Sequence, residues 1–522
     1  MSGVADPPAE GTTSGNIADL LADAAERVPR HLALVSGPLD GSGADPVELT
    51  WSDVELAVNA EATRLLVSGI RPGDRVLLAL PTSAEFAISL YAAVRAGAIA
   101  VPVGPRTPVA ELRRLIGDCG ASVVIASASI TDLGELEPGV ALLPPPDPGA
   151  RGEGIAAVGG GEDIAVLSYT AGPIGRPRGV RLSHRALLAN VAQCAAVKPA
   201  PVTANDRVLL AVPIFHAYGL GPGLLQTTAA GASAVLLDRF DVETALRVCR
   251  DRRISTIIGV PAIYQAFSER TDAELGEALA TVRLMTSGAA PLPASVLTAL
   301  RRSTGLAVYE GYGLTETGPV VTSTLVSGAP KAGSVGRALP GIRLRLNDID
   351  GRPLDEDDED AGTGRVAVQG ANLFSGYWPD GAHGPDADGW FQTGDVGYLD
   401  ADGDLHLVDR AGDLIIVNGF NVYPHEVELV LSEVEGVAET AVVGVPDERT
   451  GERVKAVVVL ADGAELDAER LRAHCAVWLP KYKVPQVIEF AEALPHSATG
   501  KLRRVALRGA GVDTLGPWST DQ

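Results

Sequence analysis

The sequence predicts an α/β protein with a large N-terminal domain of layered α/β subdomains plus a β-rich subdomain, and a small α+β C-terminal domain. Three observations predict it. At 522 residues the chain is longer than one compact unit needs. From Arg75 short apolar runs alternate with amphipathic ones, the pattern of parallel strands flanked by crossover helices. After Gly341 strands and turns take over, and beyond Asp409-Arg410-Ala411-Gly412-Asp413 a final stretch of about a hundred residues has the length of a small domain. The domains are accordingly placed at 1–410 and 411–522.

Taken in order, 16–28 has helical periodicity with Asn16 as cap, and Ser52-x-x-Glu55 reads as a capping box opening a helix that ends near Gly69. Strands are expected over 76–80, 98–103 and 122–126, separated by helices over 83–96 and through Leu115. The Pro-, Gly- and Ala-rich segment 138–161 reads as a loop between subdomains. Strands then recur at 164–167, 208–212, 234–237, 256–260 and 282–286, with helices between them. Further strands at 342–346 and 364–369 bracket the acid run 355–360, a solvated turn. The last unit alternates a strand at 414–418, a helix from Pro424, strands at 441–445 and 454–460, and a helix over 466–478.

A net charge of -23 and a pI near 4.8 argue against nucleic acid or an anionic membrane surface as the main partner. Cys119, Cys194, Cys249 and Cys475 have no metal-ligand spacing and read as buried thiols of a reduced protein. Residues 1–16 have neither a basic stretch nor an apolar core, so no signal peptide is expected. The run 208–237 carries no charge apart from a single His, but Pro213, Gly219, Gly221, Pro222 and Gly223 interrupt it too often for a membrane span. A cytoplasmic enzyme is expected.

The stretch Ser168-Tyr169-Thr170-Ala171-Gly172-Pro173-Ile174-Gly175-Arg176-Pro177-Arg178-Gly179-Val180 follows the apolar run at 164–167 and precedes a helix opened by Ser183. Strand, glycine-rich turn and helix together wrap phosphate, because small residues let backbone N–H groups approach an oxyanion; an ordinary surface loop has the same composition. His216 stands in Pro213-Ile214-Phe215-His216-Ala217-Tyr218-Gly219, where a core histidine is the plain alternative. Ser287-Gly288-Ala289-Ala290-Pro291-Leu292 follows a strand. Glu310-Gly311-Tyr312-Gly313-Leu314-Thr315-Glu316 offers an aromatic face, a hydroxyl and a carboxylate of the kind Mg²⁺ prefers. Trp390-Phe391-Gln392-Thr393-Gly394-Asp395 ends on a carboxylate able to accept from two hydroxyls. Pro495-His496-Ser497-Ala498-Thr499-Gly500-Lys501 lacks the Ser/Thr that a Walker loop requires after its lysine.

In this order the stretches resemble the signatures of the adenylate-forming superfamily, which holds acyl-CoA synthetases, the adenylation domains of peptide synthetases and beetle luciferases. The family's phosphate loop reads approximately Tyr-Thr-Ser-Gly-Thr-Thr-Gly-x-Pro-Lys-Gly. Tyr169, Thr170, Gly172, Gly175, Pro177 and Gly179 match it, whereas Ala171, Pro173, Ile174 and Arg178 depart. The resemblance implies nucleotide contacts from Thr170, Gly172, Gly175 and Arg178. It places Gly288 and Ala289 along the adenine, Tyr312 and Gly313 beside the base, Thr315 on the α-phosphate and Glu316 on Mg²⁺. Asp395 would accept from both ribose hydroxyls with Arg410 beside them, and Lys501 would bridge carboxylate and α-phosphate. His216 would lie near the carboxylate, with Tyr218, Ile263, Tyr264 and Gly288 lining an apolar pocket. An Asp that would hold a substrate ammonium is missing, which favours an acid without an α-amine.

The resemblance further implies a mobile C-terminal domain that swings about a hinge at Gly412, a pantetheine channel at Asn418 to Pro424 in which Gly419 lets the thiol arm pass, and CoA phosphates near Lys481 and Lys483. A solvated helix face explains those lysines equally well. Two half-reactions follow: acid and ATP give an acyl-adenylate and pyrophosphate, then a thiol displaces AMP. Ala171, Pro173 and Ile174 each replace a hydroxyl-bearing residue, and Pro173 also deletes an N–H. At about 1.5–3 kcal/mol per hydrogen bond to an anion, partial additivity gives about 4–8 kcal/mol, roughly 10³ to 10⁶ in rate. The expectation is an acyl-CoA synthetase-like enzyme that mainly performs the thioesterification half, with adenylation weak or absent and a separate ligase supplying the adenylate. A complete ATP-dependent acyl-CoA synthetase of a hydrophobic or aromatic acid is one alternative; a non-catalytic binder of nucleotide or acyl-adenylate is another. The cofactors implied are AMP or acyl-adenylate or ATP, coenzyme A, and Mg²⁺ if ATP is used.

Overall fold

The computed structural model describes residues 14–39, 45–127, 139–171, 177–348, 350–354, 363–410, 413, 415–417, 420–447, 451–496 and 502–508. The chain divides into two compact units, Met1–Leu344 with Val368–Phe391, and Arg345–Ala367 with Gln392–Gln522. This division differs from the boundary at 410/411 read from the sequence. The physical reason is packing: helix Pro424–Ser432 lies against strand Leu405–Arg410, so the residues just before the expected boundary share a unit with those after it.

The first unit is built on two largely parallel sheets. The six-stranded sheet runs Ala141–Leu143, Ala121–Ala126, Arg75–Ala79, Ile99–Pro102, Ile164–Ala171, Pro177–Ser183, and all its pairings are parallel except the last. The nine-stranded sheet has Leu284–Ser287, Thr256–Gly259 and Arg207–Leu210 at its centre and Val308–Gly313 beside them, all parallel. One apolar core joins the two sheets, running from Val76 and Leu78 through Phe86, Ile88 and Tyr91 to Leu34, Val208 and Leu210.

Helix Ala84–Arg95 occupies the middle of that core and is buried at every position but Glu85. Its terminal Arg95 is buried too, so its guanidinium needs partners: it donates to Glu55 at 2.7 and 2.8 Å and to Asn59 at 2.6 Å. That need corrects the capping box. Glu55 is drawn to Arg95, and helix Trp51–Val67 is capped by Thr50 and Asp53, each accepting the other's backbone N–H at 3.2 Å.

A second correction concerns the phosphate stretch. Ile164–Ala171 and Pro177–Ser183 pair as an antiparallel hairpin, with Tyr169 opposite Gly179 and Thr170 opposite Arg178. Ser183 does cap helix His184–Ala196, accepting from the Ala186 N–H at 3.2 Å, but one strand later than a strand-turn-helix reading requires. Val180 and Leu182 point inward and complete the sheet edge, which is why the chain continues as a strand.

The second unit carries a four-stranded sheet, Arg343–Asn347, Gly364–Gln369, Trp390–Leu399, Leu405–Arg410, and a five-stranded one centred on Gly451–Leu460, with Val437–Asp447 at its edge. Helices Pro424–Ser432 and Ala468–Trp478 cover one face of the latter through Val427, Leu431, Leu471 and Cys475, and Leu494 and Leu507 cover the other. The acid run 355–360 lies outside the described residues. All four cysteines are buried thiols. Among the described residues no helix is long and apolar enough to cross a membrane.

Candidate active site

In the first unit the carboxyl ends of the parallel strands converge, the place where open α/β sheets bind ligands. His216 and Tyr218 enter here on the turn after strand Arg207–Leu210, and both are half-buried. The next helix opens as a π-helical segment, Gly219–Leu225, around Pro222, which removes a backbone donor from the ladder. Tyr218 packs against Gly288: a Cβ there would come within 2.7 Å of the ring, so the glycine is required by close approach. The Tyr218 hydroxyl is 3.4 Å from Thr286 Oγ1, and burial pushes its pKa up to about 12. Tyr264 does not line a pocket. It is fully buried under the strands and donates to the Thr286 carbonyl at 2.6 Å, and Ile263 is buried as well. Sequence reasoning could not separate pocket wall from core here because both are apolar.

Beyond Gly288 the chain turns through Ala289 at φ 71°, a left-handed conformation that a non-glycine residue rarely holds without surrounding constraint. Part of that constraint is Glu310, whose buried carboxylate accepts the Leu292 N–H at 3.0 Å. Burial raises Glu310 to about 7 against this single hydrogen bond. Strand Val308–Gly313 then delivers Tyr312 and turns sharply. Gly313 has its Cα so near the Pro319 carbonyl that a Cβ would lie 1.8 Å from the oxygen. Thr317 Oγ1 closes the turn by accepting the Leu314 N–H at 2.9 Å, leaving Thr315 and Glu316 partly exposed at its apex.

Arg178, on the second strand of the hairpin, stacks with its guanidinium carbon 3.6 Å from the centre of the Tyr377 ring, and the Tyr377 hydroxyl donates to Glu316 Oε1 at 2.9 Å. The structure thus brings Arg178 and Glu316 to one residue that the sequence reading missed. Segment 372–378 braces the same turn: Asn372 Nδ2 donates to the Thr317 carbonyl at 2.6 Å and the Phe374 N–H to the Glu316 carbonyl at 3.0 Å. The available signal was a Gly-Tyr-Trp-Pro run at 376–379. Gly172, Pro173, Ile174 and Gly175 lie outside the described residues.

In the second unit Asp395 is buried and stands directly opposite Arg410 in the antiparallel pair Trp390–Leu399 and Leu405–Arg410. Lys483 is held by Glu426, its Nζ donating at 2.7 and 2.6 Å, so its charge is already compensated; Lys481 is exposed. Gly412, Gly419 and Lys501 lie outside the described residues, although the flanks of the lysine, His496 and Leu502, form an isolated antiparallel bridge.

The family described as AMP-binding enzyme matches residues 21–378, and its C-terminal domain matches 426–501. The chain belongs to the AMP-binding enzyme family. It is 36% identical over 466 residues to a feruloyl-CoA synthase of Amycolatopsis sp, covering 88% of this chain and 93% of that one. A long-chain-fatty-acid–CoA ligase of Mycobacterium tuberculosis is 32% identical over 510 residues, covering 94% and 98%. The crystal structure of ATP-bound MatB from Rhodopseudomonas palustris superposes with a TM-score of 0.85 at 31% identity, covering 95% and 98%.

As an AMP-binding enzyme of the acyl-CoA synthetase type, the chain is a ligase of the adenylate-forming superfamily. The left-handed Ala289 turn and the close approach of Gly313 to the Pro319 carbonyl are the backbone features of the two stretches that the family resemblance assigns to the base. The residues present fit Mg²⁺. Among the described residues no three His, Cys, Asp or Glu gather as a self-sufficient metal site, and one carboxylate, Glu316, beside the Thr315 hydroxyl suits a hard cation that arrives on phosphates.

Proposed function

We propose that this ligase forms an acyl-CoA thioester from an acyl-adenylate, that thioesterification is its main half-reaction, and that its own ATP-dependent adenylation is weak. The observation behind this is the content of one loop: Ala171, Pro173 and Ile174 offer carbon where the family's loop offers hydroxyls for the leaving pyrophosphate. The groups expected to grip the AMP portion, Tyr312, Thr315, Glu316 and Asp395, are all present. In the favoured step a CoA thiolate forms a bond to the acyl carbonyl carbon, the carbon–oxygen bond to AMP breaks, and AMP leaves with the electron pair. Bound Mg²⁺ would neutralise phosphate charge. Thr315 and Glu316 orient the phosphate end, Tyr218 and Gly288 shape the acid pocket beside His216, and Gly412 serves as hinge with Gly419 in the thiol channel.

The relatives' names denote a feruloyl and a long-chain fatty acid, which supports a hydrophobic or aromatic carboxylate here. A separate ligase would supply the adenylate, in the cytoplasm. A complete ATP-dependent synthetase is the second reading, favoured by Lys501, which a chain that never adenylates has no need to keep. A non-catalytic binder of acyl-adenylate is the third.

Turnover separates the three. One reaction receives acid, ATP and CoA; another receives synthetic feruloyl- or palmitoyl-adenylate and CoA. Acyl-CoA in the second alone is the expected result, brisk product in the first sinks the split reaction, and product in neither leaves a binder. Restoring the loop gives a further expectation: Ala171→Ser with Pro173→Thr and Ile174→Thr should raise ATP–pyrophosphate exchange by about tenfold or more, at roughly 1.4 kcal/mol per decade. An unchanged exchange rate would show that the loop is not the limiting defect.

A further inference from the structure

Tyr377 has no role in the reading above, yet it touches both charged groups of the phosphate end. Its hydroxyl donates to Glu316 Oε1 at 2.9 Å, and its ring carries the Arg178 guanidinium at 3.6 Å from the ring centre. The ring holds the cation by its face while the hydroxyl holds the anion in the ring plane, so two opposite charges are kept near one point without collapsing onto each other. With one oxygen of Glu316 tied by a neutral donor, the other is oriented for a cation, as outer partners orient metal ligands elsewhere.

The placement of Tyr377 is over-determined. The segment adds to the outer strand of the hairpin: the Ser375 N–H donates to the Arg181 carbonyl at 2.9 Å, the Arg181 N–H to the Gly376 carbonyl at 3.2 Å, and the Trp378 N–H to the Gly179 carbonyl at 2.8 Å. Val180 and Tyr377 form an antiparallel bridge across that junction. Gly376 permits the tight return, since a Cβ there would lie 1.8 Å from the Gly381 carbonyl oxygen. The edge of Phe374 packs on the Tyr377 ring at 5.0 Å and 74°, while its own N–H holds the Glu316 carbonyl.

We infer that Tyr377 is the positioning residue of the phosphate and metal end of the site: its hydroxyl orients Glu316 for a divalent cation, and its ring presents Arg178 to the phosphates of a nucleoside triphosphate. The inference rests on the family reading of Glu316 and Arg178 but not on which half-reaction dominates. Two variants separate the two functions of the side chain. Tyr377→Phe keeps the ring and removes the donor; Tyr377→Leu removes both.

The probe is Mn²⁺ with α,β-methylene-ATP on the full chain, followed by the electron spin resonance of free Mn²⁺, with AMP affinity and melting temperature measured alongside. Tyr377→Phe should weaken Mn²⁺ binding in the ternary complex about tenfold, leaving AMP affinity and melting temperature unchanged. Tyr377→Leu should in addition weaken metal-free binding of the analogue severalfold, because Arg178 loses its platform. Wild-type Mn²⁺ affinity in Tyr377→Phe overturns the inference, as does parallel loss of AMP binding and melting temperature, or absence of ternary Mn²⁺ binding in the unmutated protein. Failure of acyl-CoA formation from synthetic adenylate would sink the thioesterification reading and leave this result standing.

Discussion

Single residues in this site are defined by what crowds or partners them. Glu310 shows how far that goes, because its carboxylate is buried and, among the described residues, accepts the Leu292 N–H alone. Burial lifts it from 4.5 to about 7, so between those values the folded protein holds a proton that the unfolded chain has released. Stability therefore falls as pH rises through this window and levels off above it. Glu310→Gln keeps an acceptor for Leu292 without the titration. Relative to the unmutated protein, its unfolding free energy should rise with pH between 4.5 and 7 and stay higher at pH 8, by about 1–3 kcal/mol. Parallel denaturation curves for the two proteins at pH 5, 6, 7 and 8 check this; His184, held neutral at about 4 by burial, contributes equally to both and cancels.

At the scale of elements, the turn after strand Val308–Gly313 positions Thr315 and Glu316. Gly313 lets that strand pass against the Pro319 carbonyl, and Thr317 closes the turn that presents Thr315 and Glu316. Gly313→Ala should destabilise the first unit by about 3 kcal/mol and abolish AMP binding, since backbone must move to admit the methyl. Gly276→Ala is the control: it lies in helix Asp272–Ala278 with open space around it, and should stabilise by about 0.5–1 kcal/mol. Thermal unfolding with AMP titration reads both. Much of this level was legible beforehand. Apolar alternation located the strands at 76–80, 208–212, 256–260 and 282–286 to within a few residues, because buried parallel strands are continuous apolar runs. The hairpin at 164–183 was not legible, since Pro177-Arg178-Gly179 at its return looks like loop until it pairs. Nor was the choice between Ser52/Glu55 and Thr50/Asp53, which a buried arginine forty residues away decides.

Over the whole molecule the two units each have their own core, and the signatures are shared between them: Tyr312, Thr315 and Glu316 belong to the first, Asp395 and Arg410 to the second. If Gly412 is the hinge of the thioesterification half, restricting its backbone should act on that half alone. Gly412→Pro should lower acyl-CoA formation from synthetic adenylate about tenfold or more while AMP affinity and melting temperature stay within error. An undiminished rate would remove Gly412 from that role.

The sequence by itself determined the family and the order of the signatures, because each is a matter of which functional groups stand at which spacing along one chain. Only the tertiary structure decided that Tyr264 is core, that Lys483 is bound to Glu426, and that Tyr377 stands between Arg178 and Glu316. Those outcomes depend on which distant groups compete for the same partner or the same buried space, and that competition exists only once the chain has closed on itself.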